Sequence, residues 1–345
     1  MYLDAVTFVN TKYICNLEGP MTEDDDTLMV RAAWLYYVGG LNQEATAAKL
    51  GLTRARVNKM LAEARESGLV SISIDHQKVG VLPLEDTLRV RFGLDFCVST
   101  PTFGFHETPQ QDSEVRKRIT FRAVGVAAAN HLKRMLSEND TLTVGTGWGR
   151  TIEQMTLHLA GVRAPHARFI SVMGSLTANN AYNPFEVVHS LARRTGGEGF
   201  FLPVPFIADS VEDKRVLMSQ RSVVRALEIA RSASVCFISA GELTEDSLLR
   251  RQGMISATEL ESLRRAGAVG DTNGTFFDIN GCPVDHELNA RTIALGFDEL
   301  KNLPVILLIA GQEKVHAAHA LLRSGIVNGL IIDGDAAEHL VAQGS

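Results

Sequence analysis

Apolar residues recur along this chain with two different periods, and the change of period divides it. Between Thr27 and Val38, Leu28, Met29, Ala32, Leu35, Tyr36 and Val38 fall at helical spacing, and Gly39 and Gly40 stop the run. Asn42 is placed to cap a second helix, "QEATAAKL", which ends at Gly51. Thr53 then caps a third, "RARVNKMLAEARES", closed by Gly68. Two helices joined through a glycine break make a helix-turn-helix arrangement. Ala47 permits close approach, and Leu50, Leu52, Val57 and Met60 form the expected shared core, while Thr46 stands where such motifs carry an apolar residue. "LVSISID" after Gly68 alternates with period two and is expected as a wing strand.

Farther along, short continuous apolar runs alternate with amphipathic stretches. Residues 79–110 predict a short helix and a strand that link the two parts. Strands are then expected at 141–145, 168–173, 234–239, 304–310 and 328–333, with helices at Val115–Leu136, Thr151–Ala160 and Lys314–Arg323 among those between them. This order predicts a doubly wound, Rossmann-like α/β domain around a parallel sheet, whose ligands bind beyond the carboxyl ends of the strands. The expected organisation is therefore a disordered extension over 1–21, a DNA-binding domain over 22–78 and an effector-binding and oligomerisation domain over 79–345. Met21, opening "MTEDDDTLMVRAAWLYY", is expected to be the physiological start.

Composition narrows the class. Of 345 residues, 45% are hydrophobic and 21% charged, with a net charge of −6, which speaks against a chain that coats nucleic acid along its whole surface. The segment Leu41–Gly68 nevertheless holds five basic and three acidic residues, a local excess of +2. Four scattered cysteines without a CxxC pair argue against a zinc site or a disulfide framework and favour a reducing cytoplasm. The start lacks a signal-peptide pattern, and no apolar run is long enough for a membrane span.

On the third helix, Arg54, Ala55, Asn58 and Lys59 lie opposite the buried face of Val57, Met60, Leu61 and Ala64. Arginine, asparagine and lysine there can read base edges in the major groove of double-stranded operator DNA, and Arg56 and Arg65 flank them toward phosphates. Gln43 and Thr53, at the starts of the second and third helices, complete the candidate contacts. In the second part, "LTVGTGWGRTIEQM" runs from strand through Gly145, Gly147 and Gly149 into a helix, a geometry that offers backbone N–H groups to a phosphate. It is neither the dinucleotide fingerprint nor a P-loop.

Taken together, the two parts resemble the SorC family of sugar-responsive transcriptional regulators. The resemblance is carried by "GLNQEATAAKLGLTRARVNKMLAEARESGLVSISI", "VGTGWGRTIEQM", "AGAVGDTNGTFFDINGCPVDHELNARTIALGFDEL" and "VILLIAGQEKVHAAHALLRSGIVNGLIIDGDAAEHLV", in family order from about Leu28 to Val341. It implies a sensor domain sharing the fold of sugar-phosphate isomerases and deaminases, and a homo-oligomer (dimer or tetramer) whose operator affinity, as a repressor, depends on a sugar, polyol or phosphorylated effector. Carried over residue by residue, the effector site comprises Gly145, Thr146, Gly147, Trp148, Gly149, Arg150 and Thr151, then Gly174 and Ser175, Asp271 and Lys314. The chain departs from the family's frequent Gly-Ile-Gly at "ISAGEL" (238–243), and that loop is not carried over.

The shared fold keeps a sugar-phosphate isomerase or deaminase as the alternative, with Asp285, His286 or Glu313 as the acid–base candidates. His286 is expected as an exposed turn residue. His316 and His319 lie three apart on one helix without a third ligand at suggestive spacing, so neither metal nor cofactor is expected.

Overall fold

The computed structural model describes residues 25–67, 69–70, 82–104, 113–175 and 183–343. The expected start at Met21, the extension over 1–21 and most of the wing segment lie outside these. Two compact units are delimited, Met1–Ile72 and Ser73–Ser345.

In the first unit, helix α1 (Asp25–Ala33) continues into a wider π-helical turn, Trp34–Val38, that closes when the Gly39 N–H donates to Trp34 O. The run expected as one uniform helix therefore changes its winding at Trp34. α2 (Gln43–Leu50) starts where the Asn42 side chain accepts from Ala45 N at 2.8 Å, and it ends at Gly51 with φ +66°. A side chain at that left-handed position would be strained, which is why a glycine makes the turn. Thr53 accepts from Arg56 N at 3.3 Å and opens α3 (Arg54–Glu66). Ala32, Ala33, Ala47, Val57, Leu61 and Ala64 form the core between the three helices, with Leu50 and Leu52 partly buried against it. Small residues at these positions let the helix backbones approach closely.

The second unit begins with α4 (Leu82–Phe92), β1 (Phe96–Ser99), α5 (Ser113–Glu138), β2 (Thr143–Thr146), α6 (Arg150–His158), β3 (Arg168–Ser175), α7 (Pro184–Thr195) and β4 (Glu198–Pro205). After α8 (Val211–Met218), α9 (Arg221–Arg231) and β5 (Val235–Ser239) come β6 (Gly241–Glu242), α10 (Leu248–Arg251), α11 (Ala257–Arg265), β7 (Gly270–Thr272) and β8 (Thr275–Phe277). α12 (Glu287–Arg291), α13 (Phe297–Leu300), β9 (Val305–Ile309), α14 (Val315–Arg323), β10 (Gly329–Ile332) and α15 (Gly334–Ala342) complete it.

Seven strands form one sheet in the order β1-β10-β9-β5-β2-β3-β4, with every pairing parallel. Alternate residues of a strand feed two cores. Val235 and Phe237 of β5 pack with α5, α6 and α7 on one face, and Cys236 and Ile238 pack with α9, α14 and α15 on the other. Burial on both faces makes these strands read as unbroken apolar runs. Each fully buried phenylalanine such as Phe169 or Phe237 contributes roughly 1.5–3 kcal/mol. β4, absent from the expected strands, carries Pro203 and Pro205 and a polar start, and it occupies a sheet edge, where proline is tolerated.

The position of β2 decides where a ligand can enter. The chain builds outward through β3 and β4 on one side of β2, then returns to place β5 on its other side. At such a switch point the connections leaving the two strands diverge and open a crevice above their carboxyl ends. Above it sits a second, antiparallel sheet of β6, β7 and β8. Its β7–β8 hairpin turns on Asn273 (φ +49°) and Gly274 (φ +74°), the left-handed pair of a tight two-residue hairpin.

Candidate functional site

A small pocket lies at the crevice between β2 and β5. Trp148, Gly149 and Arg150 line it from the β2–α6 connection and the start of α6, Ser239 to Glu242 and Ser247 from the end of β5 and the segment after it, Asp271 and Asn273 from the small sheet, and Lys314 from the turn before α14. Three segments distant in sequence are tied together by their own hydrogen bonds. Gly147 N donates to Phe237 O at 2.9 Å, Ser239 Oγ donates to Trp148 O at 3.1 Å, and Thr272 Oγ1 donates to Ser239 O at 3.0 Å.

The glycines of the loop do different work. A Cβ on Gly145 would lie 2.6 Å from Cys236 Sγ and 2.9 Å from Val172 Cγ1, so that glycine lets adjacent strands pack. A Cβ on Gly147 would lie 2.4 Å from Asn273 Oδ1, so here the glycine admits the hairpin tip. Gly149, at φ +113°, caps α6 without a side chain to pair the first N–H groups of that helix, whose start lines the pocket. Trp148 is buried; its ring packs 6.0 Å from Phe206 and closes the pocket's apolar side.

The polar groups of the pocket are unevenly satisfied. Asp271 is buried and accepts from Gly274 N at 3.1 Å. Burial pushes its carboxyl up to about 7, and nearby Glu242 adds to the rise, while the Gly274 N–H and the Lys314 ammonium oppose it. Lys314 is only 7% exposed, and its Nζ lies 5.4 Å from the centre of the Phe121 ring, which also carries the Arg150 guanidinium at 4.7 Å. By contrast, Ser247 Oγ and Asn273 Nδ2 in the pocket lining, and Thr146 Oγ1 and Thr151 Oγ1 beside it, are buried without a hydrogen-bond partner among the described residues. Each such atom costs on the order of 1–3 kcal/mol until something pairs with it. Asn273 also has the one positive-φ backbone outside glycine among the described residues, and strain of this kind gathers at functional sites.

Trp148, Gly149, Arg150, Asp271 and Lys314, expected from the sequence, thus share one pocket. Gly174 and Ser175 do not line it; their strand turns toward β4, and a Cβ on Gly174 would meet the Pro205 carbonyl oxygen at 2.5 Å. The segment "ISAGEL", set aside on the sequence, supplies Ser239, Gly241 and Glu242. Ser247 and Asn273 were missed as well, although the Asn-Gly pair is a hairpin signal visible in the sequence.

His286 is not the exposed turn residue expected. It is half-buried, caps α12 by accepting from Leu288 N through Nδ1 at 3.2 Å, and places Nε2 3.1 Å from Ser262 Oγ. Glu313 lines a different depression, with Arg116, Lys117, Thr120, Asp333 and Asp335. His316 is exposed, while the half-buried His319 packs edge-on against Phe92. Among the described residues no group of three or more His, Cys, Asp or Glu gathers to hold a metal, and no helix is long and apolar enough to cross a membrane.

In the first unit, Arg54, Asn58 and Lys59 stand exposed on one face of α3. Gln43 Nε2 donates to Asn58 Oδ1 at 3.0 Å, and Arg54 Nε donates to Gln43 Oε1 at 3.4 Å. Arg56, expected toward phosphates, instead reaches back to Asp25 at 2.5 Å, and Lys59 lies 3.6 Å from Glu63. Thr46 is fully buried with its hydroxyl unpaired among the described residues.

Relatives and solved structures that match this chain are named as regulators. A family model described as "Putative sugar-binding domain" matches residues 77–342. The erythritol catabolism regulatory protein EryD of Brucella abortus is 34% identical over 94% of this chain and 99% of its own. The deoxyribonucleoside regulator of Bacillus subtilis is 26% identical over 93% of this chain and 99% of its own. Among solved structures, the full-length sorbitol operon regulator SorC of Klebsiella pneumoniae aligns with a TM-score of 0.65 at 23% identity, covering 92% of this chain and 100% of that one, and it shares the fold. The chain belongs to the SorC-type family of sugar-binding transcriptional regulators.

Proposed function

We propose that this protein is a cytoplasmic repressor of a carbohydrate or polyol catabolic operon. In this reading residues 22–78 form a winged helix-turn-helix that binds operator DNA, and 79–345 form the effector-binding and oligomerisation domain of a dimer or tetramer. α3 enters the major groove. Arg54, Asn58 and Lys59, with Gln43, Thr53 and Arg56 around them, form the contact face, and symmetry-related copies read paired half-sites.

The effector is a small polyhydroxylated molecule held in the β2/β5 crevice. The observation that carries this is the set of buried polar atoms without partners at Ser247, Asn273, Thr146 and Thr151, gathered where a doubly wound sheet opens. Vicinal hydroxyls supply the donors and acceptors these atoms need. Arg150, Lys314 and the α6 N-terminus suit a phosphate or carboxylate on the same molecule, while Glu242 and Asp271 suit hydroxyls. Erythritol is the first compound to test, from the name of the Brucella relative. The named relatives are regulators rather than enzymes, which supports sensing over turnover at this site. Effector and operator are then linked reciprocally, each changing the affinity for the other by the same factor.

Thermal unfolding of the full-length protein with polyols, sugars and their phosphates tests the reading. A true effector at 100 times its Kd stabilises by roughly 2.7 kcal/mol. Consumption of a sugar phosphate by the purified protein, or no shift with any of these compounds, overturns it.

A further inference from the structure

Arg54, Gln43 and Asn58 form a directed hydrogen-bond chain across α2 and α3, and its direction is forced by chemistry. A guanidinium has only donors, so Arg54 Nε at 3.4 Å must meet the oxygen of the Gln43 amide. The nitrogen of that amide is then the atom facing Asn58, and it must meet the Asn58 oxygen, at 3.0 Å. The Asn58 oxygen is thereby turned toward α2, and its nitrogen, with two N–H donors, is the edge left for the outside. Arg54, with Nε engaged, is left with its two Nη groups, also donors. Two other cations of the helix stay out of the chain: Arg56 pairs with Asp25, and Lys59 with Glu63.

We infer that Gln43, from outside the recognition helix, fixes the polarity with which that helix reads DNA, so that Arg54 and Asn58 both present donors and the operator half-site carries a keto base, guanine or thymine, opposite each. This rests on the DNA-binding reading above. An asparagine left to itself pairs with adenine through both amide atoms, nitrogen to N7 and oxygen to the N6 amine. Turning the oxygen toward Gln43 removes that preference: guanine O6 and N7, or thymine O4, then match the donors, whereas adenine offers N7 alone beside an N6 amine that also donates. Arg54 matches guanine end-on. Gln43 is a positioning residue here, setting specificity through atoms that need not touch a base.

The substitution Gln43→Glu tests this because a carboxylate only accepts. It keeps the bond from Arg54 but must take the other from the Asn58 nitrogen, so the Asn58 amide reverses and its oxygen faces the groove. The experiment is in-vitro selection of bound sequences from a randomised duplex library by the full-length protein, alone and with erythritol present. Arg54→Ala and Asn58→Ala identify the two positions as those whose base preference disappears. The wild type is expected to select guanine or thymine at both. Gln43→Glu is expected to keep the Arg54 position and shift the Asn58 position to cytosine or adenine, a reversal on the order of tenfold. Gln43→Ala is expected to blur both positions, and it serves where the glutamate variant does not fold. Adenine selected at the Asn58 position by the wild type, or an unchanged motif in Gln43→Glu and Gln43→Ala, overturns the inference while the DNA-binding reading stands. Failure of the wild type to enrich any sequence under either condition overturns both.

Discussion

The two units gather polar side chains in opposite ways. On the α2–α3 face, Gln43, Arg54 and Asn58 sit at the surface and satisfy one another, so they cost little in the absence of DNA. In and beside the crevice, Ser247 and Asn273 in its lining and Thr146 and Thr151 next to it are buried and unsatisfied, so the folded protein carries a penalty that a partner relieves. Exposed groups that already have partners give specificity by exchanging one set of hydrogen bonds for another, with modest gain. Buried groups without partners give coupling, because filling them changes the stability of the unit that holds them.

That contrast can be broken most severely at Gly147. In Gly147→Val the added side chain meets the Asn273 amide, separating the β2 loop from the hairpin tip. The effector-induced thermal shift is expected to vanish entirely while DNA binding persists; a full response in this variant would move the effector site elsewhere.

Next in size is the pH dependence at Asp271. Its folded pKa, about 7, lies above the ordinary 3.8, so the folded state holds the proton more tightly. The resulting stability is fully present below about pH 4 and is lost as pH rises through about 7. Asp271→Asn is expected to flatten this fall by a few kcal/mol in thermal melts across that range. A residual slope of the same sign should remain from Asp333, whose carboxyl burial raises to about 6 against the Gly311 and Ala336 N–H donors. A wild-type pH profile in the Asn variant would show that Asp271 is ionised throughout.

Arg54→Ala probes the exposed side. It should cost about 1–3 kcal/mol of discrimination between operator and unrelated DNA, measured by competition binding, and leave the effector thermal shift intact. Loss of both responses would contradict the division of labour between the units. The smallest expected effect belongs to Lys59→Ala. Its pair with Glu63 is exposed and contributes little to stability. Binding should weaken evenly across sequences, and the slope of log affinity against log salt should fall by about 1. A sequence-dependent loss would instead make Lys59 a base reader.

The local signals were legible at both ends of this comparison. Asn42, Gly51 and Thr53 cap and turn the helices through bonds spanning three or four residues, so the sequence alone places them. The buried strands announced themselves because both faces are covered. β4 did not, since an edge strand tolerates the two prolines and polar residues that mask it. His286 looked like an exposed turn residue because what covers it, the contact of its Nε2 with Ser262, depends on α11 and α12 meeting.

The amino-acid sequence by itself determined the parallel α/β order of the second unit, the donor-rich face of α3 and the membership of this chain in its family. Periodicity, caps and motif order are properties of neighbouring residues. Only the tertiary structure decided that Ser239, Glu242, Ser247 and Asn273 stand around Trp148, Arg150 and Lys314, and that Gly174 does not. The physical reason is the switch in strand order beside β2: it brings segments about a hundred residues apart to one crevice. It also explains Gly147, which the local pattern offered to a phosphate and which the fold uses to admit the Asn273 amide.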